Sequence, residues 1–224
     1  MKKSTKFAAL ILGLASAIAA VPASADNIIS ETSGGTAGSS PSIYSGQIGA
    51  ASWTTTSAYS NVSIDATVGC YRCSGSMTAY LTTTIGPSET VADQIATSTV
   101  SVGAGPEQDT FFSGLSLGAG TYYLVLTNGD GDLYYWLSPN GAGGTSITTG
   151  TGVTYNGDYL STSPFNTING ANPPASTWTY YGDNGLNFQV TGDPASVVPE
   201  PSSSLLLASG LAGFAGIVRR KLRA

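Results

Sequence analysis

The stretch NVSIDATV, residues 61–68, alternates without interruption. Val62, Ile64, Ala66 and Val68 fall on one side, and Ser63, Asp65 and Thr67 on the other. Successive side chains of an extended chain point to opposite faces, so a period of two builds a strand with one buried and one wet face. A helix would need its apolar positions every 3.6 residues. GSMTAYLTTTI (75–85) repeats the pattern through Met77, Ala79 and Leu81. TYYLVLT (121–127) and LYYWLS (133–138) flank NGDGD (128–132), which predicts an aromatic hairpin around a Gly/Asp turn. VTYNGDYLS (153–161) carries an Asn-Gly turn signal, and TWTYYGDNGLNFQVTG (177–192) reads as strand, turn, strand. ETVADQIATSTV (89–100) suits a short helix or a strand equally. Roughly nine or ten short strands with closely spaced turn signals predict an all-β domain, an antiparallel β-sandwich, with the jelly roll as one form of it. A parallel sheet would need crossover helices, and no long segment of helical period lies between residues 43 and 193.

Two ends stand apart from this pattern. Residues 1–25 have the layout of a secretory signal peptide: basic Lys2, Lys3 and Lys6, an apolar run from Phe7 to Val21, and a small-residue cleavage site at Ala23 and Ala25. Residues 26–42 include the Gly/Ser/Thr-rich stretch 30–42 and read as a flexible leader. The sandwich is expected over 43–193, a linker over 194–204, an apolar helix over 205–218 and a basic end over 219–224.

Charge removes whole classes of function. Of eight Lys+Arg, only Arg72 lies between residues 26 and 198, whereas 12 of the 13 Asp+Glu do, so that region carries 1 − 12 = −11. Such a surface repels phosphate backbones, and nucleic-acid binding is not expected. The chain has no His, which excludes His-dependent triads and His metal sites. No Lys lies in the body, so Walker-A, Ser-Lys and Schiff-base chemistry are also excluded.

Few residues remain that carry chemistry. Cys70-Tyr71-Arg72-Cys73 is a CxxC, read in an exported chain as a disulfide between Cys70 and Cys73 across a tight loop. Closing so small a loop contributes on the order of 2 kcal/mol. Asn128, Asp130 and Asp132 stand at alternate positions, like the start of a weak calcium loop, but the closing glutamate is missing, and a solvated turn explains them as well. No other cofactor is expected. Tyr134, Trp136, Trp178 and Tyr180 are candidate ligand aromatics, because adjacent aromatic residues in a strand place one ring in and one out. Outward rings suit sugar stacking and cross-strand packing alike. Glu89, Asp93, Glu107 and Asp109 offer carboxylate pairs for a glycosidase, but their spacing singles out no acid and base. The expectation is a protein without enzymatic activity.

The end of the chain is more specific. Pro199-Glu200-Pro201 precedes an apolar stretch, Leu205 to Val218, and Arg219, Arg220, Lys221 and Arg223 follow at once. With Ser202 to Ser204 included, the stretch spans roughly 26 Å as a helix, barely the hydrocarbon thickness. The basic end stays cytoplasmic by the positive-inside rule, which leaves the body outside the inner membrane. These three parts in this order resemble the PEP-CTERM sorting signal of Gram-negative bacteria, over about the last 28 residues. The resemblance implies that an exosortase recognises Pro199, Glu200 and Pro201 and removes the tail. It also implies a membrane-tethered intermediate, then release to the cell surface or matrix, in company with exopolysaccharide and biofilm. GTYYLVLTN and LNFQVTG are similar to stretches of the β-rich bodies of such proteins. The expected function is a structural or adhesive matrix component, with a carbohydrate-binding module as the alternative and a glycoside hydrolase behind it.

Overall fold

The computed structural model describes residues 25–33, 42–43, 47–71, 75–86, 89–128, 133–137, 145–161, 178–182 and 185–195, with 210, 211 and 219. The chain divides into two units, Met1–Pro194 and Ala195–Ala224. In the second, Gly210, Leu211 and Arg219 are described, and their backbone is helical. No helix among the described residues is long and apolar enough to cross a membrane.

The first unit holds the strands β1 (Asp26–Ser33), β2 (Ser42–Ile43), β3 (Ile48–Thr55), β4 (Tyr59–Cys70), β5 (Gly75–Thr82), β6 (Gln94–Val102), β7 (Glu107–Leu117), β8 (Gly120–Asn128), β9 (Tyr134–Trp136), β10 (Thr145–Thr149), β11 (Val153–Ser161), β12 (Trp178–Gly182) and β13 (Phe188–Pro194). They form two sheets in which every described pairing is antiparallel. Sheet 1 runs β10-β1-β13-β4-β9-β2, with β7 along the other side of β4. Sheet 2 runs β12-β11-β3-β8-β5-β6. The sheets pack face to face: Trp53 of sheet 2 meets Phe188 of sheet 1 with ring centroids 5.7 Å apart.

Strand β4 is the spine of sheet 1, and its alternation is realised in full. Val62, Ile64, Ala66 and Val68 are all buried, whereas Ser63, Asp65 and Thr67 are half-exposed. Met77, Ala79 and Leu81 fill the same interior from β5. The ambiguous stretch 89–100 resolves into one 3-10 turn, Val91–Asp93, followed by β6. Thr90 N–H and Oγ1 donate to Asp93 Oδ2 at 2.8 and 2.7 Å, and so fix that turn.

Three expectations are corrected. The leader begins as a core strand: Ile28 and Ile29 are both buried, and a register shift between Asn27 and Ile29 lets neighbouring residues turn inward. The strands around NGDGD are not a hairpin, since β8 pairs with β3 and β5 and β9 with β4 and β2. That connection crosses from sheet 2 to sheet 1, as does the one from β12 to β13. Asn156-Gly157 is not a turn but a bulge inside the continuous strand β11. Gly157 has φ +104°, which glycine adopts without strain. A turn and a bulge both use this conformation, so the dipeptide signal alone does not separate them.

The opposite crossing, from β7 to β8, is held by a tyrosine corner. Tyr122 is buried, and its hydroxyl donates to Gly118 O at 2.8 Å, four residues upstream.

Candidate functional site

Two of the candidate ligand aromatics are structural. Tyr134 and Trp136 are fully buried in the core, because β9 inserts between β4 and β2 with those two positions facing inward. Trp136 Nε1–H donates to Asn187 O at 2.9 Å, and that carbonyl also accepts Thr67 N–H at 3.0 Å. Asn187 N–H in turn donates to Leu137 O at 2.9 Å, and Leu137 N–H to Thr67 O at 2.8 Å. The indole is thus part of a closed neutral node that ties β4, β9 and the start of β13. The outward ring is the residue between them, Tyr135. It lies over Gly69, where a Cβ would come within 2.3 Å of the Tyr135 hydroxyl, and meets Tyr71 edge-on at 4.9 Å.

The other two aromatics lie on the outer face of sheet 2. Tyr180 is 59% exposed and Trp178 is half-buried. Tyr180 packs against Tyr159 at 5.6 Å, and Tyr159 against Tyr123 at 6.0 Å, both edge to face. The register places Tyr180, Tyr159, Ala50, Val125 and Tyr80 in one row across five strands. Ala50 and Val125 are buried yet outside the interior cluster. The tyrosines therefore form an aromatic layer over small and β-branched residues. Tyr123 and Tyr159 are half-buried in it, and Tyr180 is the ring it presents most openly.

Sequence reasoning missed the third feature. Glu31 of β1 and Asp158 of β11 are fully buried. Glu31 shares the inward parity of Ile29, and this alternation in NIISETS was the available signal. Tyr155 and Asp158 are three apart and would face opposite sides of a regular strand; the bulge at Asn156 turns both inward. Asp158 Oδ2 accepts Gly185 N–H at 3.1 Å and Leu186 N–H at 3.2 Å. Burial, the charges of Asp158 and Glu31 and their hydrogen bonding hold the Tyr155 proton far above the ordinary tyrosine range. The hydroxyl makes no hydrogen bond of ordinary geometry among the described residues, so burial and charge dominate.

The carboxylates of the rim behave differently. Burial raises Glu89 to about 7; the nearby Thr82 hydroxyl moderates the rise and the Asp93 carboxylate adds to it. That hydroxyl donates to the carbonyls of Thr84 and Asp93 at 3.0 and 3.1 Å, which limits what it gives Glu89. The two Thr90 bonds hold Asp93 below the usual range. Burial, with the Glu107 carboxylate beside it, raises Asp109. A pocket lined by Glu31, Asp65, Gln108, Asn187 and Gln189 has about 50 Å³, far below the ~300–1,000 Å³ of sites that enclose a small molecule.

Cys70 is disulfide-bonded, and the chain's one other cysteine is Cys73, which lies outside the described residues. Asn128 ends β8; Asp130 and Asp132 lie outside the described residues. No group of three or more metal-binding side chains occurs among the described residues. The cleavage residues Ala23 and Ala25 fall at the edge of the description, with Ala25 described and exposed. Pro199, Glu200, Pro201, Arg220, Lys221 and Arg223 lie outside it, and Arg219 is exposed.

Residues 197–221 match the family model described as the PEP-CTERM protein-sorting motif. A search of curated proteins returns no match to the chain. The matched segment contains the Pro-Glu-Pro triplet, the apolar stretch and the first basic residues, which implies export, processing by an exosortase and sorting to the cell surface.

Proposed function

We propose that this PEP-CTERM sorting domain-containing protein is a non-enzymatic structural or adhesive component of an extracellular, exopolysaccharide-based matrix. The observation that carries this reading is the sorting motif at 197–221, attached to a body with neither His nor Lys. In this reading residues 1–25 are removed as a signal peptide. The segment 205–218 then tethers the chain in the inner membrane until the exosortase acts at Pro199–Pro201. The body needs no cofactor, and a calcium ion at the 128–132 connection is an accessory at most.

The test is a substitution of the triplet in the native host. Replacing Pro199 and Glu200 by Ala is expected to leave the protein in the membrane fraction at its uncut C-terminal mass, and to weaken cell or floc cohesion as a gene deletion does. Unchanged cohesion in both strains would remove the matrix role.

A second reading is favoured by Tyr180 and the half-buried Trp178: a carbohydrate-binding face on sheet 2. The edge-to-face packing of Tyr123, Tyr159 and Tyr180 leaves no coplanar platform, so a single stacked sugar is expected rather than an extended chain. Loss of glycan retention in Tyr180→Ala, with the fold intact, supports this reading; no retention of any glycan by the wild type ends it.

A further inference from the structure

Strand β6, Gln94–Val102, is an edge of sheet 2, and no further strand pairs with it among the described residues. Its sequence, QIATSTVSV, has no charge, no Pro and no Gly. Exposed edges are usually defended by charge, proline, bulges or short length. The edge β7 of sheet 1 has such defences: Glu107 and Asp109, three register irregularities against β4, and Gly114 at φ +71°. β6 has nine residues, and its register with β5 is regular until its start, where it shifts between Leu81 and Thr82.

We infer that β6 pairs antiparallel with β6 of a second copy of this chain, about a twofold axis at Ser98, which joins two six-stranded sheets into one. The sequence is self-complementary in that register. Thr97 of one copy faces Thr99 of the other, and Ala96 faces Val100. The exposed side chains Ile95, Thr97, Thr99 and Ser101 share the outer face, whereas Ala96 and Val100 pack against the core. Pairing therefore continues both the outer threonine surface and the interior. The threonine ladder already exists one strand in, where the hydroxyls of Thr78 and Thr99 are 2.9 Å apart. Charge selects this edge as well. A body at −11 repels its own copy over most of its surface. Along β6 itself no side chain is charged; like charges meet only at the two ends of the paired strands, where Asp93 faces Gly103 of the other copy, whose N–H lies 3.4 Å from the Glu107 carboxylate.

The experiment is sedimentation velocity over a wide concentration range, on protein recovered from cells that produce the full chain. Wild type is expected to dimerise. Thr97→Glu with Thr99→Glu puts glutamates opposite glutamates and is expected to weaken the dimer about tenfold or more. Thr97→Lys with Thr99→Glu puts each lysine opposite a glutamate and is expected to restore it. Ser116→Glu on β7 leaves it unchanged. Circular dichroism melts check that each variant is folded. A monomeric wild type, a dimer that survives the double glutamate, or a folded Lys/Glu variant that stays monomeric would each overturn the pairing. The inference is independent of the matrix role, which is tested by cell or floc cohesion in the host.

Discussion

Two polar clusters are buried in this sandwich, and they are built on opposite principles. The node around Trp136 and Asn187 is neutral, and the four bonds described join backbone and indole groups of neighbouring strands. The node around Glu31, Tyr155 and Asp158 is acidic, and it bridges sheet 1 to sheet 2. Buried carboxylates are ordinarily met by a cation. The only basic residue between 26 and 198 is Arg72. It lies outside the described residues. Among the described residues the acidic node is met by the Tyr155 hydroxyl, which keeps its proton, and by the backbone N–H groups of Gly185 and Leu186. One cluster is indifferent to pH and the other is not.

The largest effect is expected in the neutral node. Trp136→Ala removes a buried indole and its bond to Asn187, and costs about 3–5 kcal/mol. Urea unfolding is expected to give the same loss near pH 5 and pH 8; a loss that differs with pH would erase the contrast. In the acidic node, Asp158→Ala strands the N–H groups of Gly185 and Leu186, at about 1–3 kcal/mol for each buried donor left unmade. Next comes Tyr155→Phe, which removes a buried hydroxyl that makes no hydrogen bond of ordinary geometry among the described residues and is expected to change stability by about 1 kcal/mol or less. Its pH signature is sharper than its size. A group whose pKa is raised on folding contributes stability below its unfolded value and loses it as pH rises toward the folded one. Wild-type stability is thus expected to fall above about pH 10, the ordinary tyrosine value, and the variant to fall less steeply. Burial also raises Tyr80, Tyr122, Tyr135 and Tyr159, so they retain part of the slope. An unchanged slope would remove Tyr155 from the account.

The smallest effect lies on the rim. Glu89 is raised to about 7, so its contribution is full below the unfolded carboxylate value and is lost as pH rises through about 7. Glu89→Gln is expected to flatten the melting profile between about pH 4 and 7. Because the side chain is half-exposed, solvent screening keeps the change below about 1 kcal/mol. A variant with the wild-type profile would show that the Glu89 environment is open in solution.

The strands were legible where parity was unambiguous. Val62 to Val68 and Met77 to Leu81 could face the core in only one way. LYYWLS offered two parities, because either set of alternate residues is large and apolar enough to be buried; the partners of β9 decided between them. The hairpin reading of NGDGD failed for a related reason. Turn residues report that the chain reverses, not whether it returns to the same sheet. Glu31 was hidden in a stretch whose Gly/Ser-rich continuation looked unstructured, although its spacing from Ile29 carried the signal. The sorting tail was legible in full because its three parts are contiguous and need no tertiary context.

The pairing of β1 with β13 bears on export. Asp26 lies opposite Gly192 and Glu31 opposite Phe188, so the first strand of the body closes against the last. Partner strands so far apart in sequence must wait for one another. A chain that crosses a membrane from its N-terminal side delivers β1 early and β13 near the end. During that interval β1 has only β10 as a described partner. The domain can lock only after Pro194 has emerged, when the sorting motif at 197–221 is the next segment to arrive. Completion of the sheet and presentation of the processing site thus become successive moments of one passage, and the fold acts as its own timer.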